Sequence, residues 1–117
     1  MRDAVRRLAA TGLAAGLSAG LTVGAPGLPL SAQDRDALQS LGRQLFTDRG
    51  CLGCHTVGAV GTPIAPDLTG AAARYREADL ARWLQDPPAQ RPTRHMPGIG
   101  LSADEARAVA AYLTSLR

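Results

Sequence analysis

Between Asp34 and Thr47, apolar residues recur at helical spacing. Leu38, Leu41, Leu45 and Phe46 fall on one face, which predicts an amphipathic helix. Ser31 stands just ahead as a candidate cap, Asp34 suits the positive helix start, and Gly50 is the stop signal. A shorter helix is expected over Glu77 to Gln85, with Leu80, Trp83 and Leu84 on its apolar side and Asp86-Pro87-Pro88 ending it. The clearest element is the last. Ser102-Ala103-Asp104-Glu105 reads as a capping box, and Ala106, Val109, Ala110, Leu113 and Leu116 then mark one face. Glycine and proline fill residues 58–70 and 86–101, which read as loops. No segment alternates like a strand and no repeat follows the leader, so the folded part is expected to be all-α with long loops.

The first 32 residues follow different rules. Arg2, Arg6 and Arg7 open the chain, and Leu8 to Gln33 carries no charge. A basic start, an apolar run and the small-residue site Leu30-Ser31-Ala32 describe a secretory signal. The expected organisation is therefore a leader over 1–32 and a folded domain over 33–117. Val23-Gly24-Ala25 is a second possible cut, disfavoured by Pro26 behind it. The rival reading is an uncleaved membrane anchor. The uncharged run is long enough to span a bilayer, and Gly12, Gly16, Gly20 and Gly24 recur every fourth residue. Pro26 and Pro29, which break the run, favour cleavage. Either way the domain is exported, periplasmic in a bacterial setting, and membrane-attached only if the leader stays on.

Charge and composition narrow the function. All 13 basic residues are arginine, against 10 acidic ones, for a net charge of +3. The three leader arginines against Asp3 account for +2 of it, so the folded part lacks the clustered positive charge of a nucleic-acid binder. Aromatics are scarce: Phe46, Tyr75, Trp83 and Tyr112. A domain of this size with so little aromatic volume rarely buries enough apolar surface alone, and a covalently held cofactor would complete its core.

Cys51-Leu52-Gly53-Cys54-His55 supplies that chemistry. Two thiols three residues apart add across the two vinyl groups of one haem, and the histidine that follows ligates the iron. A thioredoxin-like pair would need a strand before the motif, where a helix is expected. A zinc site from Cys51, Cys54, His55 and His95 would not match usual ligand spacing. The opposite iron position has two candidates. Met96 is the only methionine after the leader and lies in a loop with no helical face to belong to, and His95 is its neighbour. Adjacent side chains in an extended loop point opposite ways, so one of the two faces inward, and Met96 is the preferred one.

With these residues in place, the chain resembles the class I monohaem cytochromes c over residues 36–117. Gly42 and Phe46 match the glycine and aromatic of that family's first helix, and Tyr112-Leu113 match the aromatic-leucine pair of its last. The stretch from Pro66-Asp67-Leu68-Thr69-Gly70 through Trp83-Leu84-Gln85-Asp86-Pro87 to Met96-Pro97 is similar to the cytochrome c domain of some bacterial oxidase second subunits. The resemblance implies crossing terminal helices, one covalent haem c on Cys51 and Cys54, and iron held by His55 and Met96. It also implies a Pro66 carbonyl that accepts a hydrogen bond from His55. Trp83 is a candidate to hydrogen-bond a haem propionate through its indole N–H, with simple packing as the alternative. The chain departs from the family in having no lysine, where relatives often dock partners through a lysine ring. The expected function is an exported electron carrier, not itself an enzyme, passing single electrons between redox proteins such as a dehydrogenase and a terminal oxidase. The alternatives are a haem enzyme or gas or peroxide sensor with a labile sixth ligand, and a fixed subunit of a membrane respiratory complex.

Overall fold

The computed structural model describes residues 29–90 and 95–117. The expected leader, apart from its last four residues, lies outside them. Five helices and one two-stranded hairpin make up the described fold: α1 (Ala32–Asp48), β1 (Thr56–Val57), β2 (Val60–Gly61), α2 (Ala71–Arg74), α3 (Glu77–Gln85), α4 (Pro87–Gln90) and α5 (Ala103–Leu113). A 3₁₀ turn over Cys51–Gly53 joins α1 to the hairpin. The fold is mainly helical, as the periodicity predicts. No described helix is long and apolar enough to cross a membrane.

The two long helices begin where their caps say they should. The Ser31 hydroxyl accepts from the Asp34 amide at 3.1 Å and donates to the Asp34 carboxylate at 2.7 Å, and the Ser31 carbonyl takes the Arg35 amide. Ser31 and Ala32 thus belong to the fold although they precede the boundary expected at 33. At α5 the full capping box forms: Ser102 Oγ accepts from the Glu105 amide, and Glu105 Oε2 accepts from the Ser102 amide. The ladder of α5 stops at Leu113, so Leu116 packs against the core from the tail behind it.

α1 crosses α5, and α3 packs on α5 from another side. The α1–α5 crossing is centred on Gly42, which is buried. A Cβ built at Gly42 would lie 1.9 Å from the Ala108 carbonyl oxygen and 2.8 Å from Tyr112 Cβ. Only a hydrogen fits there. Phe46, one turn on, meets Tyr112 with ring centroids 5.6 Å apart and planes tilted by 58°. On the α5 side the surface is made of small residues, Ala106, Ala108, Ala110 and Ala111, all fully buried, with Val109 and Leu113 between them.

The expected apolar face of α1 needs one correction. Leu41 is 47% exposed, whereas Gly42 and Phe46 are buried. The face turns toward the residue that permits close approach, and Leu41 stands one position, about 100° of helix, away from it. β2 and α4 fall in the stretches that read as loop, while β1 and α2 form in stretches that the sequence left unassigned. The hairpin pairs Thr56 with Gly61 and Val57 with Val60, too short to show an alternation.

The crossing yields a stability test. Gly42→Ala is expected to force α1 and α5 apart and lower stability by roughly 1–3 kcal/mol, the usual cost of overpacking, read as a drop in thermal midpoint. A midpoint within a degree of the original would show that the helices do not meet there.

Candidate functional site

α1 delivers the Cys-x-x-Cys-His motif. Its C-terminal residue Arg49 is followed by Gly50 at φ 75°, a left-handed conformation that turns the chain out of the helix. The motif then winds into a single turn, with Cys54 N–H to Cys51 O at 3.2 Å and His55 N–H to Cys51 O at 2.9 Å. Cys51 is half-buried and Cys54 exposed, and neither is in a disulfide. Burial pushes the Cys51 thiol above its ordinary pKa, partly offset by a backbone hydrogen bond.

The segment after the hairpin folds back on this turn. Thr62 N–H donates to Leu52 O at 3.0 Å, and the amides of Ile64 and Ala65 both donate to Cys54 O, at 3.2 and 2.7 Å. Gly61, at φ 111°, passes so close that a Cβ would sit 2.1 Å from the His55 carbonyl oxygen. The result is that Pro66 O lies 2.8 Å from His55 Nδ1. A carbonyl only accepts, so Nδ1 carries the proton and the lone pair is left on Nε2. This is the tautomer an iron-ligating histidine needs, and the backbone partner fixes the ring as outer contacts to metal-bound histidines do.

A second tier holds Pro66. Leu68 N–H donates to Thr56 O at 2.9 Å, and Gly58 N–H donates to Thr69 Oγ1 at 2.7 Å. Thr69 in turn gives its hydroxyl and amide to Asp67 Oδ1 at 2.6 and 2.9 Å, while Arg74 donates to the Asp67 carbonyl. The two Thr69 donors, hydroxyl first, hold the Asp67 carboxyl below its usual range. Sequence reading missed this bracing, although Asp67-x-Thr69 is a recognisable side-chain-to-backbone turn.

The loop before α5 carries the remaining candidates. His95 is exposed, while Met96 is half-buried and packs against the core with Ile99. Of the two neighbours it is Met96 that turns inward. Trp83, on α3, is also half-buried against the same core. Cys51, Leu52, Val57, Trp83, Met96 and Ile99 therefore form an incompletely covered apolar rim on the core. Among the described residues no buried polar side-chain atom lacks a hydrogen-bond partner. Two thiols, an imidazole presenting Nε2 and a thioether, with apolar side chains around them, make a donor set that fits a haem.

Two carboxylates brace this region. Ser102 N–H, then Arg49, holds Glu105 below its ordinary range just as Thr69 holds Asp67. A carboxyl lowered in the folded state adds stability that is present above the unfolded value and lost as pH falls through it. The thermal midpoint is therefore expected to stay level down to about pH 5 and to fall below about pH 4. Glu105→Gln is expected to flatten that fall, and an acid limb unchanged in this variant would remove Glu105 from the account.

The profile of the cytochrome c family matches residues 39–117, more than half of the chain. A cytochrome c oxidase subunit 2 from Alkalihalophilus pseudofirmus is 32% identical over 91 residues. That match covers 70% of this chain and 27% of the relative, so the chain spans about a quarter of the protein it resembles. The crossing at Gly42, the paired thiols and the oriented His55 have their explanation in this match: the chain belongs to the cytochrome c family, whose members bind haem and transfer electrons.

Proposed function

We propose that this protein is an exported one-electron carrier, with a single haem c linked to Cys51 and Cys54 and axially held by His55 and Met96. The observation that carries the reading is the His55–Pro66 hydrogen bond, which engages Nδ1 and leaves Nε2 as the nitrogen for a metal. The inward turn of Met96 beside an exposed His95 supports the thioether as the second ligand. When bound, the haem iron supplies a one-electron couple. The chain's residues do the rest. His55 is held in one tautomer and orientation, so little reorganisation accompanies a change of iron charge. The thioether of Met96 favours the reduced metal and raises the potential. Trp83 and the aliphatic side chains around it keep water from the group. Two protein ligands leave no position for a substrate, which is why the protein is a carrier and not itself an enzyme.

The likeness to part of an oxidase subunit supports a respiratory redox protein as partner. Residues 50–66 carry no charged side chain, and Val60 and Ile64 there are 61% and 75% exposed. Beside a chain without lysine, this supports a contact that depends little on a basic ring.

Cys51→Ala with Cys54→Ala is expected to leave no haem bound to the polypeptide after acid-acetone extraction. Met96→Ala is expected to open the iron, lower the potential and create carbon monoxide binding in the reduced protein. The same changes from His95→Ala, with Met96→Ala silent, would assign two histidines instead.

Export rests on the basic start and uncharged run of the leader. Mass spectrometry of protein from an exporting host is expected to find a chain beginning at or near Gln33. An intact leader in the membrane fraction would show a tethered cytochrome.

A further inference from the structure

Arg49 occupies a position that the haem motif does not explain. It ends α1 and lies two residues before Cys51. Its guanidinium splits between two targets far along the chain. Nη2 donates to Glu105 Oε1 at 2.8 Å, and Nη1 points to the carbonyls of Ile99 and Gly100, each at 3.5 Å. The first is a short, charge-assisted bond, and the other two are at the outer limit of hydrogen bonding. The pair is partly sheltered, with side-chain exposures of 35% and 31%.

Glu105 is also the residue whose other oxygen, Oε2, accepts the Ser102 amide at 2.9 Å in the capping box. One carboxylate thus joins the start of α5 to the end of α1. The short segment between Met96 and Ser102 is spanned by this arrangement. Ile99 and Leu101 anchor it to the core, Gly100 turns it at φ 71°, and Arg49 faces its backbone. By contrast Arg107–Asp104, at 3.0 Å, and Arg82–Asp79, at 3.4 Å, join residues of a single helix.

Resting on the His55/Met96 reading above, we propose that Arg49 is a positioning residue for Met96. Through Glu105 and the Ile99–Gly100 backbone it fastens the thioether-bearing loop to the end of the helix that carries Cys51, Cys54 and His55. The loop is then held in its closed form by the polypeptide itself and not by the sulfur–iron bond alone. Breaking the clamp frees the loop to open without separating α1 from α5, because Gly42 and Phe46 hold that crossing elsewhere.

The test is competition for the iron in the ferric holoprotein, with imidazole as the probe and absorption of the methionine–iron band as the readout. Arg49→Ala is expected to raise the apparent imidazole affinity about threefold to tenfold, the factor that corresponds to a half-sheltered charge-assisted pair. Glu105→Gln is expected to do the same while keeping the cap on Ser102, since glutamine also serves in a capping box. Arg49→Lys, which keeps charge but loses the fork, is expected to fall between. Arg107→Ala is the control and is expected to match the unaltered protein. Affinities within twofold of the original in both Arg49→Ala and Glu105→Gln would overturn the proposal, whatever their unfolding midpoints, and reduce the pair to a tie between helices. If one variant does not fold, the other and Arg49→Lys decide. A Met96→Ala protein that binds imidazole no better than the original would overturn the ligand assignment and the clamp with it.

Discussion

Everything about the site depends on how near two backbones come at Gly42. The Ala108 carbonyl occupies the space where any side chain would stand, so α1 and α5 meet main chain to main chain. That contact explains the alanines on the facing surface of α5: small residues are what a helix shows to a partner so close. It also bears on where the Cys51–His55 motif and Met96 sit in the chain. The chain leaves α1 directly into Cys51 and enters α5 directly from the Met96 loop. Locking the two helices therefore fixes where the Cys51–His55 segment begins and where the Met96 segment ends.

Legibility in the sequence follows the range of the interactions. Both caps were readable because each is closed within three residues, Ser31 with Asp34 and Ser102 with Glu105. The motif was readable for the same reason, and α3 fell on the expected residues because its apolar spacing and Asp86-Pro87-Pro88 are both local. The Pro66 contact to His55 was accessible only through family resemblance, since nothing in the positions between them states it. The Leu41 face was misjudged because periodicity counts apolar side chains and takes no account of a glycine that draws the partner helix to its own side. The hairpin, α2 and α4 have two to four residues per element, too few for a periodic pattern to show, and the hairpin is tied in by the Thr62–Leu52 and Leu68–Thr56 backbone bonds. The Arg49–Glu105 pair spans 56 positions, and no pattern of arginines announces it.

The core has little bulk of its own. Its largest side chains with almost no exposure are Leu113, Val109 and Pro87. Around it Cys51, Leu52, Val57, Trp83, Met96 and Ile99 remain partly open. A flat apolar group held against that rim would bury area that the polypeptide leaves uncovered, at about 25 cal/mol for each Å². A covalently tethered group is present in the unfolded chain too, but it is buried and ligated only in the native state, so its contribution falls on the folded side of the balance. The scarcity of aromatics then reads as a consequence of what the core is shaped to hold.

The start of α1 gives the same separation of roles. Ser31 supplies both a side-chain and a main-chain acceptor to the helix, so a cut after Ala32 would strip the Asp34 and Arg35 amides of their partners and put an ammonium at the positive end of the helix. A cut farther upstream, or none, would leave the cap intact. The difference is worth about 1 kcal/mol in a typical helix, and it acts where α1 is most exposed. Gly42 lies about two and a half turns further along, and the ligand segments lie beyond that. Fraying at the first turn is therefore absorbed before it reaches the crossing. The Gly42 crossing is set by contacts that a change at Ser31 does not touch.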